Sequence, residues 1–106
     1  MRYLDRRGQW LCRERWLILV RNPDYAVIAH DELPGIVIDT RWVGLVFDVE
    51  REPQTFCTAV CRRTGFVTED IGHCFSATEA LALARHETLL KGVRRTLLRE
   101  PGESCA

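Results

Sequence analysis

The side chains best able to do chemistry fall between residues 57 and 86: Cys57, Cys61, His73, Cys74 and His86. Cys57, Cys61, His73 and Cys74 are ligand types that hold zinc. Zinc sites usually take paired ligands from turns, two to four residues apart, whereas cysteines four apart along an extended strand stand more than ~10 Å apart. Free cysteine is also among the most buried residue types, so core packing competes with ligation. No metal and no cofactor is expected, and the four residues stay open between core and ligand. A nucleophilic pair of Cys74 or Cys57 with His86 or His73 can be drawn, but no glycine elbow or oxyanion loop surrounds either cysteine. His86 falls among Leu83, Leu89, Leu90 and Val93, which suits a core or interface histidine. No catalytic residue, and no enzyme, is expected.

The charged residues point to partners rather than chemistry. Fifteen basic and fifteen acidic side chains cancel, so no global field steers the 106-residue chain towards nucleic acid or anionic membrane. The distribution is uneven. Residues 1–21 hold Arg2, Arg6, Arg7, Arg13, Arg15 and Arg21 against Asp5 and Glu14. Residues 22–56 hold seven acids, including Asp31, Glu32, Asp48, Glu50 and Glu52, against Arg41 and Arg51. The two stretches either neutralise each other across the fold or face partners. Lys91, Arg94, Arg95 and Arg99 sit late in a helical segment, where the helix dipole alone favours cations.

Trp10, Trp16 and Trp42 are many tryptophans for this length, and Trp is enriched at interface hot spots. Trp16 alternates with Ile18 and Val20 and reads as inward. Trp42 beside Arg41 leaves a surface role open, so it joins the acids as a candidate partner contact. The glycines are scattered singly and form no phosphate loop.

The elements that must position these groups read as one α+β domain spanning 1–106. An antiparallel sheet of about four to five strands, in two hairpins, packs against one C-terminal amphipathic helix. Glu14–Val20 and Tyr25–Ala29 form the first expected hairpin around the turn Asn22-Pro23-Asp24. Ile36–Ile38 is a short strand, and Trp42–Glu50 pairs with Thr55–Arg62 as the second hairpin. Phe66–Thr68 adds an edge. Ser76 with Glu79 makes a capping box opening a helix from Ala77 to Arg99, interrupted at Gly92. Residues 1–9 and 100–106 are expected to be loose tails. Nothing reads as a signal peptide or a membrane span, so a cytoplasmic protein with reduced thiols is expected.

The closing block Gly72-His73-Cys74-Phe75-Ser76-Ala77-Thr78-Glu79-Ala80-Leu81 resembles small phage and prophage proteins, including anti-CRISPR proteins. The resemblance covers the last third of the chain and carries over no functional residue. It implies a protein that binds and blocks a host complex. The first expectation is therefore a non-enzymatic protein-binding module, an inhibitor of a bacterial defence complex. Its contacts would be Asp31, Glu32, Asp48, Glu50, Glu52 and Trp42, with the acids mimicking nucleic-acid phosphates against a basic groove. The alternative is a nucleic-acid-binding regulator using Arg6, Arg7, Arg94 and Arg95. The width of the apolar helix stripe would also suit a homodimer packed through strand edges or helices.

Overall fold

A computed structural model describes residues 2–47 and 51–98. In chain order these form β1 (Arg2–Leu4), β2 (Trp10–Leu11), α1 (Arg13–Val20), α2 (Pro23–Ala26), β3 (Val27–Leu33), β4 (Ile36–Trp42), β5 (Leu45–Val46), β6 (Phe56–Thr64), β7 (Val67–Ser76) and α3 (Glu79–Leu97). A three-stranded sheet runs β2-β1-β5 and a four-stranded sheet runs β3-β4-β6-β7, both antiparallel. The α+β class with a C-terminal helix on an antiparallel sheet is as expected. Its internal wiring differs.

Glu14–Val20 lies in helix α1, not in a strand. The run Trp16–Val20 is apolar throughout, so alternation and helical spacing are both present in it. Packing selects the helical option: Trp16, Leu19 and Val20 lean on the core while Ile18 stays 63% exposed. Asn22 does use its side chain on the Asp24 amide (3.1 Å), but this caps α2, with Pro23 in its first turn. The first expected hairpin is therefore absent. Instead β3 turns at Pro34-Gly35, with Gly35 at φ +75°, and pairs with β4.

The second hairpin is also rewired. Trp42 ends β4 rather than starting a strand, and β4 pairs with β6 from Ile36↔Arg62 to Trp42↔Phe56. The expected short edge at 66–68 is the start of the ten-residue β7, whose polar residues and Gly72 hide its strand character. Arg2–Leu4, expected within a loose tail, is strand β1. The helix cap is Thr78, whose hydroxyl accepts from the Leu81 amide (3.1 Å), while Ser76 closes β7 and is buried. Gly92 does not interrupt α3.

α3 lays Ala82, His86 and Leu90 onto the four-stranded sheet. Leu83 and Leu97, expected on the buried stripe, are 38% and 43% exposed, so the buried face is turned by about one residue. Trp42 joins the two sheets. It is fully buried with Ala26, Phe56 and Ala82, meets Tyr25 edge-on at 5.0 Å, and donates its Nε1–H to the Leu4 carbonyl of β1 (2.9 Å). Trp42 is therefore a core residue and not a partner contact.

Candidate functional site

Paired residues of the four-stranded sheet share a face, so the register sorts the chemistry-bearing side chains into two sets. Asp31, Thr40, Thr58 and Cys74 face α3. His30, Glu32, Asp39, Cys57, Cys61, His73 and Phe75 face away from it. Cys74 lies against Ala84, Arg85 and Thr88 of the helix, on the opposite face from Cys57 and Cys61. The four candidate soft ligands are thus divided. Among the described residues, no three His, Cys, Asp or Glu are placed to hold a metal ion. Burial pushes the Cys57 thiol above its ordinary value, away from the thiolate form.

On the helix side, His86 bridges α3 to three strands. Its Nε2 meets the Asp31 carboxylate at 2.7 Å and its Nδ1 meets the Thr40 hydroxyl at 2.8 Å, which in turn meets Thr58 at 2.8 Å. A carboxylate only accepts, so Nε2–H donates to Asp31. With a neutral imidazole, donation then runs Thr58 to Thr40 to His86 to Asp31. The order carboxylate, imidazole, hydroxyl is that of a nucleophilic triad. Here Thr40 and Thr58 are no more than 1% exposed. The arrangement clamps the helix to the sheet and offers no hydroxyl to a substrate. Nothing in the sequence pattern singled out Thr40 or Thr58, because their partners come from distant elements.

On the opposite face, His30 on β3 bonds Asp39 on β4 (2.8 Å) and Glu32 (3.2 Å). Arg41 holds Asp39 at 2.6 Å and Arg63 reaches Glu32 at 3.3 Å. The bonds to Asp39 and then Glu32 raise the His30 pKa, and the bonds to His30 and Arg63 lower that of Glu32. Burial pushes the Asp39 carboxyl up, but the bonds from Arg41 and His30 outweigh it, and its pKa is lowered. A histidine with a raised folded value stabilises fully below its ordinary pKa of about 6.5 and loses that contribution as pH rises through the folded value. The pH dependence of the melting temperature should therefore differ between the wild type and His30→Gln. Above about pH 6.5 the wild-type advantage should shrink, by less than about 1 kcal/mol because His30 is 41% exposed. Parallel curves across that range would rule the linkage out.

These contacts decide where the candidate residues stand. Asp31 and Glu32 are hydrogen-bonded within the fold, by His86 and by His30 and Arg63. None of these partners comes from the basic stretch 1–21, and Arg6 of that stretch pairs with Glu79 instead. Glu52 is exposed, and Asp48 and Glu50 lie outside the described residues. Arg6 is also committed: its guanidinium bonds Glu79 at the start of α3 (2.6 Å) and the Tyr25 carbonyl (3.1 Å). Arg94 lies fifteen residues beyond Glu79 on the same helix, about 22 Å away at 1.5 Å per residue. Arg6 and Arg7 therefore do not join Arg94 and Arg95 in one basic surface.

What the sequence reading missed is apolar. Phe47 is 73% exposed and Phe75 39% exposed, and both line one cavity of about 420 Å³ with Leu45 and Pro53. Arg51 and Glu52 line it as well. Glu52 and Pro53 also line a second cavity, of about 440 Å³, which leads to Arg6 and Arg7. Phe75 alternates with buried Ser76, and its exposure follows only once β7 is known to be a strand at the sheet edge.

The β7 edge itself is guarded. Ile71 is an extra residue between the pairs Val60↔Gly72 and Cys61↔Asp70, making a bulge. The Asp70 carboxylate accepts from the Gly72 amide (2.9 Å), and Arg85 reaches from α3 to donate to the Phe75 carbonyl and the Ser76 hydroxyl. Such features disfavour pairing with another strand along residues 70–76.

No known family model, curated protein or solved structure matches the chain. Among the described residues no helix is long and apolar enough to cross a membrane.

Proposed function

We propose that the chain is a non-enzymatic protein-binding module that seats an apolar side chain of its partner in the Phe47–Phe75 cavity. The exposure of two phenylalanines in one cavity that charged residues also line carries this reading. An apolar centre ringed by polar groups is the usual anatomy of an interface, and aromatic anchors supply most of its affinity. The acidic phosphate-mimic version has less support, since Asp31 and Glu32 are occupied within the fold. The resemblance of residues 72–81 to small phage and prophage proteins would make the partner a bacterial defence complex, with the chain as its inhibitor. The nucleic-acid alternative has less support again, because its arginines sit at opposite ends of α3.

The test is affinity capture with the tagged chain from bacterial lysate, with and without nuclease. A stoichiometric protein partner that survives nuclease is expected. Phe47→Ser and Phe75→Ser should each weaken that complex by at least tenfold, about 1.4 kcal/mol or more. Phe47→Ser should shift stability by only about 0.5 kcal/mol, as for other exposed positions. Recovery that vanishes with nuclease would overturn the reading in favour of nucleic acid.

A further inference from the structure

A cavity of about 600 Å³ lies between the β1–β2 loop, α1 and the start of α3. Its volume is in the range of small-molecule sites. Three arginines line it, Arg6, Arg7 and Arg15, along with two acids, Asp5 and Glu79.

The two acids are already engaged. Asp5 accepts from the amides of Arg7 (2.9 Å) and Gln9 (2.8 Å), which fixes the loop, with Gly8 at φ +84°. Glu79 is held by Arg6. The guanidinium groups of Arg7 and Arg15 have no acid partner among the described residues. Tyr25 accepts from the Arg6 amide through its hydroxyl oxygen (3.0 Å), so its own O–H can donate to an occupant. Leu11, Leu19 and the Tyr25 ring supply an apolar wall.

A cavity with two uncommitted guanidinium groups, a hydroxyl donor and an apolar wall suits an anionic group on a small organic body. Guanidinium forks bind phosphate oxygens in bidentate fashion, and two of them match the charge of a phosphate dianion. We propose that this cleft binds the phosphate group of a small phosphorylated molecule, with Arg7 and Arg15 as the clamp and Arg6 as a fixed floor. The site is separate from the Phe47–Phe75 cavity and stands whether or not that cavity takes a protein.

The ¹⁵N-labelled full chain should be titrated at constant ionic strength with pyrophosphate, with adenosine monophosphate and with citrate. Saturable shifts are expected at the amides of Arg7, Gln9, Leu11 and Tyr25 with both phosphates, and weaker ones with citrate. Arg7→Gln with Arg15→Gln should weaken binding by at least tenfold, and Arg7→Lys, which keeps the charge but loses the fork, should give a smaller loss. Both positions are exposed, so the melting temperature should hold. An oligonucleotide without terminal phosphates distinguishes the source. Tighter binding through the same amides would overturn the small-molecule proposal in favour of a nucleic-acid backbone, and weaker binding supports it. Shifts that fail to saturate, citrate binding as strong as pyrophosphate, or full affinity in both arginine variants would overturn the proposal.

Discussion

Trp42→Ala is expected to lower the unfolding free energy by about 3–5 kcal/mol, the range for emptying a buried aromatic site. Total stabilities of small domains are about 5–15 kcal/mol, so the variant should stand near the edge of folding. Trp42 is fully buried against Ala26, Phe56 and Ala82, and its Nε1–H is bonded to the Leu4 carbonyl. Losing the ring thus opens a cavity and loosens β1 from the larger sheet. Trp42→Phe keeps much of the ring but removes the donor, and should cost about 1–3 kcal/mol.

The same ring dictates Gly44. A Cβ there would lie 2.4 Å from the Trp42 ring, and the backbone sits at φ +69°. Gly44→Ala should therefore be strongly destabilising in the wild type. In the Trp42→Ala background it should cost less, because the ring contact is gone, while the backbone strain and the 2.9 Å approach to the Leu4 carbonyl remain. Urea unfolding of the four proteins checks both statements, and purely additive losses would contradict the packing described.

His86→Ala is the second large effect, at about 2–4 kcal/mol, from a cavity in the helix–sheet interface and two lost hydrogen bonds. His86→Leu separates the two causes. It refills most of the volume but leaves Thr40 and Asp31 without the imidazole, so it should still cost about 1–3 kcal/mol. Asp31 has a 37% exposed side chain and can be rehydrated. The mutual dependence of Asp31→Ala and His86→Leu in a double-mutant cycle should be favourable and of order 1 kcal/mol. A wild-type melting temperature in His86→Leu would show that the network adds nothing to packing.

Much of the fold was legible where local signals act alone. The turns at Pro34-Gly35 and Arg63-Thr64-Gly65 carry local signals, since glycine takes the positive φ at each, +75° and +61°. α3 is visible from its helix formers, although two hydroxyl residues, Ser76 and Thr78, compete for the cap and tertiary packing decides for Thr78. The region 14–29 was not legible, since a continuous apolar run fits strand and helix equally and only the core contact of Trp16, Leu19 and Val20 chooses. Strand order was hidden for another reason. β4 pairs with β6 across an intervening strand and loop, so the expected hairpin of neighbouring segments is replaced by a longer-range pairing.

The candidate sites divide in the same way. His86 was legible as a core histidine from its apolar neighbours. The side chains it binds, on β3 and β4, are 55 and 46 residues away in sequence and leave no local pattern. The Phe47–Phe75 cavity joins residues from β7 and the segment after β5, and nothing local marks either as exposed. Trp42 misleads in the opposite direction, because its Arg41 neighbour points to the other face of the sheet.

The direct test of the central claim compares two surface changes against the captured partner. Binding isotherms should be measured for the wild type, for Phe47→Ser with Phe75→Ser, and for Glu52→Lys. Docking through the apolar cavity predicts that the phenylalanine double variant loses at least tenfold in affinity, while Glu52→Lys changes it only slightly. Unchanged affinity in the phenylalanine variant, with loss in Glu52→Lys, would contradict this account and return the acidic surface as the binding face.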